Sequence, residues 1–213
     1  IAYISLPNSL HFYWAKLALT KGYHVIVDKP ICLNKSDAKK LIDISKKNKK
    51  LLVEAIYFNY HKQFTEALKI LKESKNIQHI SANFIIPQPE KKSILMSKKL
   101  SGGCFMDMAP YAAAVPRVFC YGKVLSIKKN ISKNRKGLII SFNILCKFQN
   151  TSYHGYFSFG GEYKSSITFF SKDSRLEINR VFSPPPNKVL EIIKNKKNKI
   201  YKKKLKKEDV FEN

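Results

Sequence analysis

Three side chains have the type and spacing to do chemistry: Lys29, Asp107 and Tyr111. Lys29 follows the apolar run Val25-Ile26-Val27 and Asp28, and it precedes Pro30. A β-branched run that ends in charge and proline predicts a buried parallel strand with the lysine at its carboxyl end. That is where open α/β sheets bind ligands. Pro30 fixes its own φ and drives Lys29 toward extended backbone, which aims the ammonium away from the strand; X-Pro is also the bond that can be cis. A solvated loop lysine fits the same residues. Asp107 and Tyr111 are four apart in an apolar segment that ends at Phe119. A helix there puts acid and phenol on one face. Both are costly to bury without partners, and a core tyrosine bonded to a structural aspartate also satisfies the spacing. Pro110 and Pro116 stand against an unbroken helix, because interior prolines kink helices.

The elements that must position these groups follow from periodicity. Ile1 to Leu6 is strand-like, and Pro7-Asn8-Ser9 ends it in a turn able to cap a helix. Phe12, Trp14, Ala15, Leu17, Ala18 and Leu19 recur with helical spacing between Leu10 and Lys21, and Gly22 closes that helix. The strand at Val25 comes next, then a helix led by Asn34 and Ser36 with Ala38, Leu41, Ile42 and Ile44 on one face. Leu51 to Ala55 is a third strand. This order predicts a right-handed parallel β/α unit. Phe64 to Leu71 reads as a helix and Ile80 to Ile86 as a strand. After Lys123 the chain alternates as an antiparallel sheet over Val124–Lys128, Gly137–Phe148, Ser152–Phe159, Ser165–Phe170 and Leu176–Arg180.

Ser5-Leu6-Pro7-Asn8-Ser9-Leu10-His11, Ala18-Leu19, Gly22-Tyr23-His24-Val25 and Asp28-Lys29-Pro30 resemble the Gfo/Idh/MocA oxidoreductases. The family's pattern there reads T-P-N-x-x-H, A-L-x-x-G-K-H-V and E-K-P. Glu54 to Gln63 looks like the family's E-A-F-M-Y-R-F-H-P-Q, with Asn59 for Arg and Lys62 for Pro. Gly102-Gly103 through Asp107 to Tyr111 resembles G-G-x-x-x-D-x-G-x-Y, with Ala109-Pro110 in place of the usual pair, and Arg117 matches the same form. That form belongs to dihydrodiol dehydrogenases, glucose–fructose oxidoreductase and nucleotide-sugar 3-ketoreductases. Glu162-Tyr163, Asp173 to Glu177 and Arg180 to Pro186 extend the likeness; by itself Arg180 reads as a surface or inter-strand pairing residue.

The resemblance implies an α/β then α+β chain. Residues 1–58 would be the second half of a Rossmann domain. Residues 59–213 would be a catalytic and oligomerisation domain with a large, mostly antiparallel open sheet, incomplete at its C-terminus. The glycine-rich first half, which also selects between NAD and NADP, is not in this sequence; the chain alone is therefore expected to be inert. The implied activity is hydride transfer between NAD or NADP and a carbinol or ketone of a sugar or nucleotide-sugar. A dihydrodiol dehydrogenase-like enzyme and a non-catalytic basic binding protein are the alternatives. By resemblance Tyr111 is the general acid/base, Lys29 its electrostatic partner and Asp107 the holder of a substrate hydroxyl. Pro7, Asn8, His11, Asp28, Lys29 and Pro30 would line the cofactor side. His11 serves equally as a partner for the helix start. A homo-oligomer is implied on the same ground.

Composition narrows the alternatives. The net charge of +25 invites a nucleic-acid partner, but 36 of the 40 basic residues are Lys, whereas base and phosphate recognition leans on the planar fork of Arg. Nucleic acid is therefore the less favoured partner. The dense run from Lys194 to Lys207 reads as a solvated or frayed surface segment. Cys32, Cys104, Cys120 and Cys146 are scattered without a C-x-x-C pair, which supports neither a disulfide framework nor a metal site and suits a reducing cytoplasm. No apolar run is long enough to span a bilayer.

Overall fold

The structure is a computed structural model and describes residues 1–73 and 77–210. It divides into two compact units: Ile1–Ile56 with Pro89–Pro110 and Lys133–Ile140, and Tyr57–Gln88 with Tyr111–Ser132 and Ser141–Asn213.

In the first unit β1 (Ala2–Ile4), β2 (Val25–Asp28) and β3 (Leu52–Ala55) form a parallel sheet in that order. Val25 is the partner of Ala2 on one side and of Leu52 on the other. The crossovers are α1 (His11–Thr20) and α2 (Lys35–Lys47). Local chemistry sets their ends. The Asn34 side chain accepts the Asp37 N–H at 2.9 Å and caps α2. Asp37 in the first turn and Lys46 and Lys47 in the last complement the helix dipole. Gly22 takes φ +85° after α1, a conformation that L side chains resist. Ile4, Val25 and Val27 of the sheet bury against Ala15 and Leu19 of α1 and Leu41 of α2. Each large aliphatic side chain so buried contributes about 1.5–3 kcal/mol.

The second sheet has eight strands: β4 (Ile77–Ile86), β5 (Val124–Lys133), β6 (Ile139–Phe148), β7 (Ser152–Phe159), β8 (Lys164–Ser171), β9 (Ser174–Asn179), β10 (Glu191–Lys196) and β11 (Lys199–Lys204). Their order is β11-β10-β9-β8-β4-β7-β6-β5, open at both edges. The β4–β7 pair is parallel; β4–β8, β6–β7, β8–β9, β9–β10 and β10–β11 are antiparallel. This is the large, mostly antiparallel sheet expected from the sequence. Ile80, Ala82 and Phe84 of β4, with Phe157, Ile167, Phe169 and Ile178, point to the buried face. Phe64, Ala67 and Leu71 of α3 (Lys62–Glu73) are buried with them.

The lysine-rich segment departs from expectation. It is a hairpin, β10–β11, turned by Lys197 and Asn198 at φ +48° and +61°, the paired positive values that a two-residue hairpin turn requires. Every residue of β11 is exposed, in keeping with a solvated segment, and the segment is paired as a strand. Lysines on an edge strand resist pairing with another chain.

Among buried polar groups of this unit, Glu208 accepts the Lys62 N–H at 2.7 Å and lies 3.5 Å from His61 Nε2. Burial lowers the His61 pKa, Glu208 opposes that, and Lys62 adds to it. The folded state therefore binds fewer protons at His61 than the unfolded state does. Its stability is full above the ordinary histidine range and falls as pH drops below it. His79 is lowered in the same sense, chiefly by burial. Urea midpoints should fall between neutrality and about pH 5, with a smaller fall in His61→Gln. An equal fall in that variant would show that His61 does not carry the effect.

Candidate functional site

Two short loops at the carboxyl ends of β1 and β2 carry Pro7, Asn8, Lys29 and Pro30. After β2 the Lys29–Pro30 peptide bond is cis. The Lys29 ammonium donates to the Asp107 carbonyl oxygen at 2.7 Å and closely to its Oδ1. Both side chains are 17% exposed, so the pair is shielded but reachable from solvent. Asp28 accepts the Tyr3 hydroxyl at 2.6 Å, which holds its carboxylate against the neighbouring strand. After β1, Pro7 leads into a short 3-10 turn, Asn8–Leu10, and the Asn8 amide donates to Ser101 O at 3.0 Å.

His11 is wholly buried. Its Nδ1 lies 2.7 Å from Pro30 O and its Nε2 2.6 Å from Leu6 O. The ring faces backbone on both sides and presents no nitrogen to an open cofactor side. A residue the sequence did not single out has a related place. Glu54, at the end of β3, accepts the Ile31 N–H at 2.9 Å and fastens the loop that carries Lys29. An acid at the carboxyl end of the adjacent parallel strand is the signal that could have found it.

Asp107 reaches Lys29 from α4 (Cys104–Phe119). The helix is entered through Ser101 at φ +56° and Gly103 at φ +101°. Gly102 lies so close to the preceding turn that a Cβ would sit 2.5 Å from Ile94 O. A cleft of about 200 Å³ opens at the start of α4, lined in part by Ser101, Gly102, Met106 and Leu138. Pro110 and Pro116 do not break the helix. Each withholds one N–H, yet Asp107 N–H donates to Gly103 O at 3.1 Å and Cys120 N–H to Pro116 O at 2.8 Å. The helical bonds persist on both sides of the two defects.

Tyr111 stands one turn beyond Asp107 on α4. It is 3% exposed, with the rings of Phe58, Phe84 and Phe182 each 5.6 Å from its own, centroid to centroid. Three aromatic walls fix the ring and leave the hydroxyl as its one polar atom. Arg180, at φ +60°, lays its guanidinium over the Tyr163 ring at 4.3 Å, and Arg117 is exposed on α4. Among the described residues no group of three or more His, Cys, Asp or Glu could hold a metal ion. None of their helices is long and apolar enough to cross a membrane.

A parallel β/α unit with a lysine and an amide at its strand ends has the form of a dinucleotide-binding segment. Residues 1–56 match the oxidoreductase family with an NAD-binding Rossmann fold, Gfo/Idh/MocA. It is 29% identical over 196 residues to a dTDP-3,4-didehydro-2,6-dideoxy-alpha-D-glucose 3-reductase of Streptomyces antibioticus, covering 86% of this chain and 57% of that protein. A counterpart in Actinomadura kijaniata is 26% identical over 187 residues, covering 86% and 56%. Among solved structures, KijD10, a 3-ketoreductase from Actinomadura kijaniata in complex with NADP and TDP-benzene, superposes with a TM-score of 0.92 at 24% identity. That superposition covers 98% of this chain and 66% of KijD10 and shows the shared two-domain fold. The chain spans a little over half the length of the curated relatives that it matches.

Proposed function

We propose that the protein of which this chain is part is an NAD- or NADP-dependent oxidoreductase, and that it transfers hydride to or from a carbinol or ketone of a nucleotide-linked sugar. The observation that carries this reading is the shielded Lys29–Asp107 pair beyond the carboxyl ends of a parallel sheet, with Tyr111 one turn further along α4. The likeness to nucleotide-sugar 3-reductases supports the substrate class. Residues 1–58 would serve as the later half of the cofactor domain and 59–213 as the substrate domain.

The residues fit a nicotinamide nucleotide on this structure's own terms. Lys29 and Asn8 follow the carboxyl ends of β2 and β1, where α/β sheets take ligands, each beside a proline, Pro30 or Pro7. When bound, the nicotinamide supplies or accepts the hydride. The Tyr111 phenol gives or takes the proton at the sugar oxygen. A phenol titrates near 10 in isolation, and a neighbouring cation stabilises its anion. Asp107 accepts from a substrate hydroxyl. Pro7, Asn8, Asp28, Lys29 and Pro30 form the wall on the ribose side. Exposed Leu125, Ile127 and Ile131 on one face of β5 offer an apolar surface for a second copy.

Trp14 is the only tryptophan and is 44% exposed on α1, the helix that follows the Pro7-Asn8 turn. In the protein extended to the length of its relatives, NADH or NADPH should quench its fluorescence saturably. Absence of saturable binding by either nucleotide would end the oxidoreductase reading.

A further inference from the structure

We propose that His11 is a positioning residue: by donating from both ring nitrogens it ties the loop after β1 to the loop after β2, and so sets the spacing of Asn8 and Lys29. The inference rests on the functional reading above and concerns the same site.

The geometry is specific. One buried ring spans from Leu6 O at 2.6 Å to Pro30 O at 2.7 Å. Leu6 precedes Pro7 and Asn8, and Pro30 follows Lys29, so each contact lies within two residues of a group placed at the cofactor wall. Carbonyl oxygens only accept. A ring with one N–H satisfies one of them and turns a lone pair toward the other; a ring with two N–H groups satisfies both. A nitrogen lone pair turned on a carbonyl oxygen at either distance would be repulsive, so the two contacts together call for two donors. The charged groups on the surrounding strand ends each hold a partner of their own. Asp28 takes the Tyr3 hydroxyl, Lys29 lies on Asp107, and Glu54 takes the Ile31 N–H.

The clamp acts from behind the site. Displacing a strand-end lysine by about 1 Å costs on the order of 100-fold in rate when the reacting atoms must meet in line. His11→Leu keeps an apolar side chain of similar bulk and removes both donors. In the intact protein its kcat with a nucleotide-sugar substrate should fall by about 10- to 100-fold per folded molecule, with KM for the sugar little changed. His11→Gln, whose amide has two N–H bonds, should recover part of the loss. A variant that loses thermal stability but keeps kcat per folded molecule would overturn the positioning role.

A second measurement does not depend on turnover. The chain has five histidines, and long-range proton–nitrogen spectra of histidine-labelled protein resolve their ring nitrogens, with His11 assigned by its loss in His11→Gln. Two protonated nitrogens on His11 in the folded protein are expected. One protonated nitrogen would overturn the two-donor clamp, even in a protein that turns over every substrate offered. Two protonated nitrogens in a protein with no turnover would sustain the clamp and refute the proposed activity instead.

Discussion

Lys29→Met in the intact protein should lower kcat/KM by about 10²- to 10⁴-fold, the range for removing a group that supports proton transfer in the transition state. Met keeps most of the length and the apolar stem, so the loop after β2 retains its packing. What disappears is the ammonium that donates to the Asp107 carbonyl and carboxylate. Asp107 is only 17% exposed, and a carboxylate so shielded is poorly compensated once its cation is gone. The variant should therefore also melt earlier. Lys29→Arg separates the two effects: it keeps the charge near Asp107 and restores stability, but its planar, wider head does not reproduce a point donor, so turnover stays low. Full turnover in Lys29→Met at saturating substrate would remove Lys29 from the chemistry.

Tyr111→Phe should be as damaging to rate. The substitution leaves the ring contacts with Phe58, Phe84 and Phe182 in place and removes one oxygen. Loss of a general acid/base costs about 10²- to 10⁴-fold in kcat. KM should hardly move, because the sugar would still be held through Asp107. Stopped-flow observation of NADPH oxidation would distinguish a slowed chemical step from slowed product release. A chemical step as fast as that of the unsubstituted enzyme would sink the acid/base assignment and leave Tyr111 as core.

Much of this arrangement was legible in the sequence because local signals and long-range packing agree there. Val25-Ile26-Val27 before Asp28-Lys29-Pro30 has one economical fold, a parallel strand with a charged exit, and that is β2. Asn34 and Gly22 mark helix ends by their own chemistry, and both do so here. Other features are set by partners distant in sequence. Nothing around His11 states that its two acceptors will be Leu6 and Pro30 carbonyls, because that depends on the register of two strands. Asp107 shows its partner Lys29 only when α4 is placed. The β10–β11 hairpin was hidden by composition. Its alternation is written in lysine and asparagine instead of in apolar and polar residues, and only Ile192 of β10 is buried deeply enough to anchor it. Pro110 and Pro116 misled in the other direction, since a buried helix can forgo two hydrogen bonds when apolar packing on both sides of them is retained.

The place of β4 in the large sheet has a consequence for how the chain is made. β4 is the first of the eight strands in sequence, yet it lies in the interior of the sheet, between β7 and β8. Its Ile80 pairs with Tyr153 on one side and Phe169 on the other. During synthesis β4 leaves the ribosome with both backbone edges bare, and neither neighbour exists until α4, β5 and β6 have followed. Pairings so far apart in sequence close large loops before they are rewarded, which slows folding and prolongs exposure of a strand able to pair with other chains. The first strand of this sheet to be synthesised waits until β8, ending at Ser171, before both of its edges are covered.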